Sequence, residues 1–155
     1  MGCVNGDAYT LGPAGKTRIS TVADLVEGQG LETVGSRSMA DVTLGDGTSL
    51  TLSQDTRIAR VSGEQPAASG ARTIVLEQGS LQVVAARQNP ARPLEFITEN
   101  AKATVLGTRF KLTSIPGATQ LEVSEGVVRF VRLQDRVFVD VKPGEFAIVK
   151  RCAEL

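Results

Sequence analysis

Histidine and tryptophan are absent from the 155 residues, cysteine occurs only twice, and aromatic side chains make up 4%. Without histidine the chain lacks the commonest general base and the commonest ligand for transition metals. Two cysteines cannot complete a structural zinc site unaided. No hydroxyl or thiol stands beside a base in a recognisable nucleophile arrangement, so neither hydrolase nor transferase chemistry is expected, and no cofactor. Cleft enzymes that grip sugars usually present aromatic platforms, and one Tyr and five Phe leave little for that purpose. Carboxylate pairs for glycoside cleavage are assembled only in three dimensions, so a carbohydrate-binding or hydrolytic domain stays open as an alternative.

An excess of charge of either sign is also missing, because 17 Lys and Arg balance 17 Asp and Glu. Nucleic acid is therefore not an expected partner, since it needs a basic surface to displace counterions. Docking on an anionic membrane is disfavoured for the same reason. No apolar run approaches the roughly 18 residues of a membrane span, so direct membrane insertion is not expected. The start, Met1-Gly2-Cys3, does not make a myristoylation site, because Gly6 stands where Ser or Thr is required. No charged-then-apolar segment has the form of a secretory leader.

What is present is glycine, 16 residues of it, and alternation. With 41% apolar residues and a mean hydropathy of +0.01, the chain reads as one globular domain over 1–155, with 1–15 a loosely patterned lead. From Met39 onward apolar and polar side chains alternate, the period-two mark of half-buried strands. The pattern predicts strands over Met39–Leu44, Thr48–Ser53, Arg57–Val61, Arg72–Glu77, Ser80–Ala85, Leu94–Thr98, Lys102–Leu106, Thr108–Thr113, Thr119–Ser124, Val127–Leu133, Arg136–Val141 and Glu145–Lys150. A first strand is expected within Lys16–Ala23, and Asp24–Gly35 reads as a turn-rich segment that delivers Leu31 to the core. Asp46-Gly47 suits a tight hairpin turn, Val61–Gly70 an exposed loop, and the prolines of Gln88–Pro93 exclude a sheet interior. Thr21–Glu27 is the only helical candidate.

A weak internal repeat runs through Leu76-Glu77-Gln78-Gly79, Val123-Ser124-Glu125-Gly126 and Val141-Lys142-Pro143-Gly144, each followed by an alternating strand. One turn type used three times, with glycine taking a positive φ, implies corners of a sheet system that winds back on itself. The expected fold is all-β, with many short antiparallel strands in two stacked sheets and a rolled or solenoid-like winding. A flat β-sandwich is the alternative. Parity assigns Leu50, Leu52, Val75, Leu81, Val83, Phe96, Val105, Phe110, Leu112, Leu121, Val123, Val128, Phe130, Phe138, Phe146 and Ile148 to the core.

Candidate site residues are few. In Gly107-Thr108-Arg109-Phe110, Arg109 could be presented to a partner, but a bulge glycine with Phe110 inside and Arg109 on the wet face explains the same residues. Asp41, Asp46 and Asp55 match no calcium loop. Cys3 and Cys152, one near each end, are either a disulfide clamping the termini or two unrelated thiols. A system of short strands leaves at least one edge open, so the expected mode of binding is a protein partner or self-association through sheet edges, with a structural filament subunit as the alternative where that contact runs head to tail.

The run Val105-Leu106-Gly107-Thr108-Arg109-Phe110-Lys111-Leu112 followed by Leu121-Glu122-Val123-Ser124-Glu125-Gly126-Val127-Val128 resembles the signature of the FecR domain. Three upstream pieces agree with it in order and spacing: Val42–Thr48, Leu76–Leu81 and Arg92–Ile97. The resemblance covers 31–149 and is nearest to secreted, surface FecR-type modules. It implies a non-catalytic extracytoplasmic protein-interaction or scaffolding module, in the periplasm, at the cell surface or secreted, with any leader lying outside this sequence. Its alternative is the sensor fragment of a sigma-factor regulator in cell-surface signalling. The chain shows no anti-sigma helical segment and no distinct receptor-binding domain, which sets it apart from complete signalling proteins of that family.

Overall fold

A computed structural model describes residues 4–12, 15–19, 30–43, 47–62, 72–87, 93–105 and 107–150, and among these every regular element is a strand. In chain order they are β1 (Val4–Gly12), β2 (Gly15–Ile19), β3 (Gly30–Thr43), β4 (Ser49–Leu52), β5 (Arg57–Ser62), β6 (Arg72–Val84), β7 (Leu94–Ile97), β8 (Ala101–Val105), β9 (Arg109–Ile115), β10 (Ala118–Glu125), β11 (Val128–Arg132), β12 (Phe138–Val141) and β13 (Phe146–Lys150).

The strands form one continuous 13-stranded sheet that rolls over onto itself, the rolled winding that the pattern implies. Two strands are long enough to serve both layers. The first half of β6 pairs with β5 and β7, and its second half pairs with β4 and β9. Likewise β3 pairs with β5 near its start and β4 near its end. One layer therefore runs β12-β11-β8-β7-β6-β5-β3 and the other β13-β10-β9-β6-β4-β3, with the β1–β2 hairpin beyond β3. From β7 onward the chain makes a hairpin in one layer, crosses, and makes the next hairpin in the other.

The crossings explain the repeat. Gly79, Gly126 and Gly144 each sit where the chain passes between layers, with φ of 97°, 77° and 82°. Side chains with a Cβ resist that region, so glycine recurs at the corners. At Gly126 space is short as well as φ unusual: an added Cβ would lie 2.6 Å from Thr108 Cγ2 and 2.7 Å from the Gly107 carbonyl oxygen. Gly107 and Gly126 are thus successive corners stacked on each other.

Between the layers lies a core of Val, Leu, Ile and Phe. Phe96 on β7 meets Phe110 on β9 edge to face, with centroids 5.3 Å apart, which ties the layers together. Twelve of the core positions read from parity are buried, among them Leu50, Leu52, Leu81, Phe96, Phe110, Leu112, Leu121 and Phe130. Polar groups at the corners are satisfied by threonines that the pattern did not single out. Thr56 Oγ1 accepts from the Ser80 N–H at 3.1 Å, and Thr33 Oγ1 accepts from the Thr56 N–H at 3.0 Å.

Several expectations need correction. Val4–Gly12 is a strand rather than an unpatterned lead: it pairs with β3 through backbone bonds, and such pairing demands no alternation. The described part of Asp24–Gly35 belongs to β3, and Leu31 is indeed buried there. The two strands expected across Arg72–Ala85 are one, because Gly79 bends β6 without breaking its ladder. Pairing is not antiparallel throughout, since β6 and β7 run parallel. Val75 is only half-buried between buried Ile74 and Leu76, because three successive apolar residues carry no parity of their own. Phe138, Phe146 and Ile148 are 54%, 64% and 47% exposed rather than in the core, because they stand on the outer faces of their strands, across from Val131, Glu122 and Gln120, while Val141 on the inner face of the same β12 is buried. The helical candidate Thr21–Glu27 and the residues Leu44, Gly45, Asp46 and Leu106 lie outside the described residues.

Candidate functional site: an open apolar seam between two sheet edges

The sheet does not close. Among the described residues β12 pairs with β11 alone and β13 with β10 alone, so the two layers end side by side in two free edges. Free edges are lined with backbone groups that lack partners. The register shows which groups these are on β13. The Val123 N–H donates to the Glu145 carbonyl at 3.1 Å, so Ala147 and Val149, which alternate with it, also point their backbone groups at β10. Phe146, Ile148 and Lys150 point theirs outward.

Side chains at this end are apolar on both faces. On β13 the inward positions hold Ala147 and Val149, opposite Leu121 and Thr119, and the outward positions hold Phe146 and Ile148, opposite Glu122 and Gln120. On the other edge Val137, Phe138 and Val139 are each more than half exposed. Between the two edges runs a cleft of about 160 Å³ lined mainly by Phe130, Val137, Phe138, Val139, Ile148 and Val149, together with the charged Arg132. Soluble proteins rarely leave a contiguous apolar surface uncovered without a binding role for it.

One rim of the seam is held by charge. Arg129 Nε donates to Asp140 Oδ1 at 3.0 Å, and its guanidinium lies 4.4 Å from the centre of the Phe138 ring. The hydrogen bond from Arg129 holds the Asp140 carboxyl below the usual carboxylate range and raises the arginine. Arg132 does the same to Asp135 at the tip of the β11–β12 hairpin, helped by the Val137 N–H. Phe138 is thus exposed with the Arg129 guanidinium against its ring.

The sequence motif lies elsewhere and is mainly a corner. Gly107 and Gly126 stack, the Thr108 carbonyl accepts from the Ala85 N–H at 2.8 Å, Phe110 is buried, and Arg109 is exposed. Beside it is a wide, open cleft of about 530 Å³ lined by Val84, Arg87, Thr108, Arg109 and Glu125, in which the Thr108 hydroxyl is buried without a partner. Asp41 and Asp55 are not gathered for a cation: Asp41 accepts from the Thr51 hydroxyl, and Asp55 accepts from the Gly35 N–H at 2.8 Å. Among the described residues no group of three His, Cys, Asp or Glu could hold a metal ion. Cys3 and Cys152 both lie outside the described residues.

Sequence reasoning missed the seam by assigning Phe138, Phe146 and Ile148 to the core and by giving Val137, Val139 and Val149 no place in it. The signal available was that β13 reads Phe-Ala-Ile-Val, apolar at successive positions, where a strand with one wet face alternates.

Comparison with known proteins gives the same architecture. A family model described as FecR protein matches residues 31–129. Two crystal structures of a candidate anti-sigma factor from Parabacteroides distasonis each superpose with a TM-score of 0.66 at 23% identity, covering 76% of this chain and 53% of the other. At that identity the likeness is one of fold, and this chain spans about half the length of those neighbours. No curated protein matches.

Proposed function

The chain belongs to the FecR protein family, and from that premise we propose that it is the non-catalytic, extracytoplasmic sensor domain of a sigma-factor regulator in cell-surface signalling. The family match over residues 31–129 carries this reading. The site supports it chemically, because the chain presents edges and an apolar seam, features that bind polypeptide. Such a domain works by changing which protein it touches, and a rolled sheet with open edges among the described residues suits that task.

A scaffolding role in a surface protein is the second reading. The observation in its favour is the apolar character of the seam, which fits a permanent contact better than one that must open and close. Removing the codons for residues 31–150 from the gene in its own host separates the two. A sensor domain predicts that transcription from an extracytoplasmic sigma factor's promoters loses its response to the external signal. Unchanged transcription in every such regulon, with an altered cell surface, selects the scaffold.

A further inference from the structure

We propose that the seam is a homodimer interface in which β13 of one copy pairs antiparallel with β13 of a second, extending one layer of the rolled sheet across both molecules. This inference stands apart from the signalling reading and rests on the edge alone.

The register of β13 is self-complementary. Phe146, Ile148 and Lys150 turn their backbone N–H and C=O groups to the free edge, and these must meet the same set on the partner strand. A two-fold axis through Ile148 achieves this, because it places Ile148 opposite Ile148 and Phe146 opposite Lys150. The side chains then match on both faces. On the outer face the Lys150 ammonium of one copy comes over the Phe146 ring of the other, beside Glu122, which is the β10 partner of Phe146. On the inner face Ala147 meets Val149, and the apolar lining of the seam is covered. No other register that pairs outward-pointing residues uses all three of them.

Size and charge agree with a second copy as the occupant. Phe138, Phe146, Ile148, Val137 and Val139 are each about half exposed. With roughly 150–250 Å² for an aromatic side chain, these five and the strand edges offer several hundred Å² on one copy, approaching the ~800 Å² per partner of a standard interface. Balanced charge, 17 against 17, removes the net repulsion that would keep identical chains apart.

The test is sedimentation of the chain across a concentration series, with Cys3→Ser and Cys152→Ser introduced so that no bridge can imitate the contact. A reversible dimer is expected. Ile148→Lys puts two like charges face to face on the two-fold axis and should weaken the dimer about 100-fold; Ile148 is half exposed, so the monomer keeps its fold, as dichroism checks. Residue-resolved amide exchange gives an independent reading. With rising concentration the amides of Phe146, Ile148 and Lys150 should gain protection, while those of Ala147 and Val149 are already protected at low concentration. A strict monomer at every concentration overturns the proposal and leaves the seam to another chain. A dimer indifferent to Ile148→Lys, or one without the alternating protection, overturns it as well.

Discussion

Strands β9 and β13 are both rich in apolar residues and both lie in the same layer beside β10, yet they have opposite fates. Phe110 and Leu112 on β9 are buried, while Phe146 and Ile148 on β13 stand in solvent. The polar residues show why. On β9 the outward positions beside the buried Phe110 and Leu112 are Arg109 and Lys111, which water accepts, with exposed Ile115 only at the strand's end, and β6 and β10 close both flanks. On β13 the larger apolar side chains take the outward positions, small Ala147 faces inward, and among the described residues one flank is bare. Burial thus depends on face as well as flank, and β13, apolar on both faces and paired on one flank among the described residues, leaves apolar surface exposed.

The contrast can be broken most directly by truncation. Phe110→Ala should destabilise the monomer by about 3–5 kcal/mol, since it empties a site against Phe96 at the centre of the core. Phe146→Ala, measured by denaturant unfolding at a concentration too low for association, should stay within about 0.5 kcal/mol. Equal losses at the two positions would end the distinction drawn between the strands.

The next effect separates corner from edge. Gly126→Val must enter a positive φ and drive a Cβ into Thr108 and the Gly107 carbonyl, so a loss of at least about 1–3 kcal/mol is expected in thermal or denaturant unfolding. Lys150→Ala, out on β13, should change monomer stability by less than about 0.5 kcal/mol. An unchanged melting temperature for Gly126→Val would mean that the stacked corners do not hold the winding.

The smallest effect is one of pH and belongs to the seam's rim. Asp135 and Asp140 have carboxyls held below the usual value of 3.8 by Arg132 and Arg129. Their contribution is therefore complete above that value and is lost as pH falls through the lower folded values. Protection factors for amide exchange in the β11–β12 hairpin, taken against the intrinsic rate at each pH, should fall in acid below about pH 4, and Asp140→Asn should remove part of that sensitivity. Both pairs are exposed, so added salt should blunt the effect.

Most of the winding was legible because it rests on local signals. Alternation located β4 through β13, and the recurring glycine marked the crossings before any strand partner was known. What was not legible depends on neighbours. Alternation gives two faces but does not say which one is covered, and in Phe-Ala-Ile-Val or Ile-Val-Leu there is no alternation to read. Parity therefore assigns Val75, Phe138, Phe146 and Ile148 to a core that the structure does not give them. The long strand β1 escaped for a related reason: it is held by backbone bonds to β3, and Asn5, Gly6 and Asp7 give it no strand-like pattern. The seam was legible only as a type of contact, an open edge, and not as particular residues.

The two-layer strands β3 and β6 set how this molecule responds to load. Each is one unbroken length of backbone hydrogen-bonded into both layers, so the layers cannot slide or hinge apart in the middle without tearing ladders on both sides of a strand at once. Among the described residues the last winding has no such strap. Tension applied through the carboxyl end should peel β13 away from β10 one bonded pair at a time, then release the β11–β12 hairpin, and stop at β6. A tug on that end would be felt as a graded yield at the seam, with the rest of the roll acting as the fixed post it pulls against.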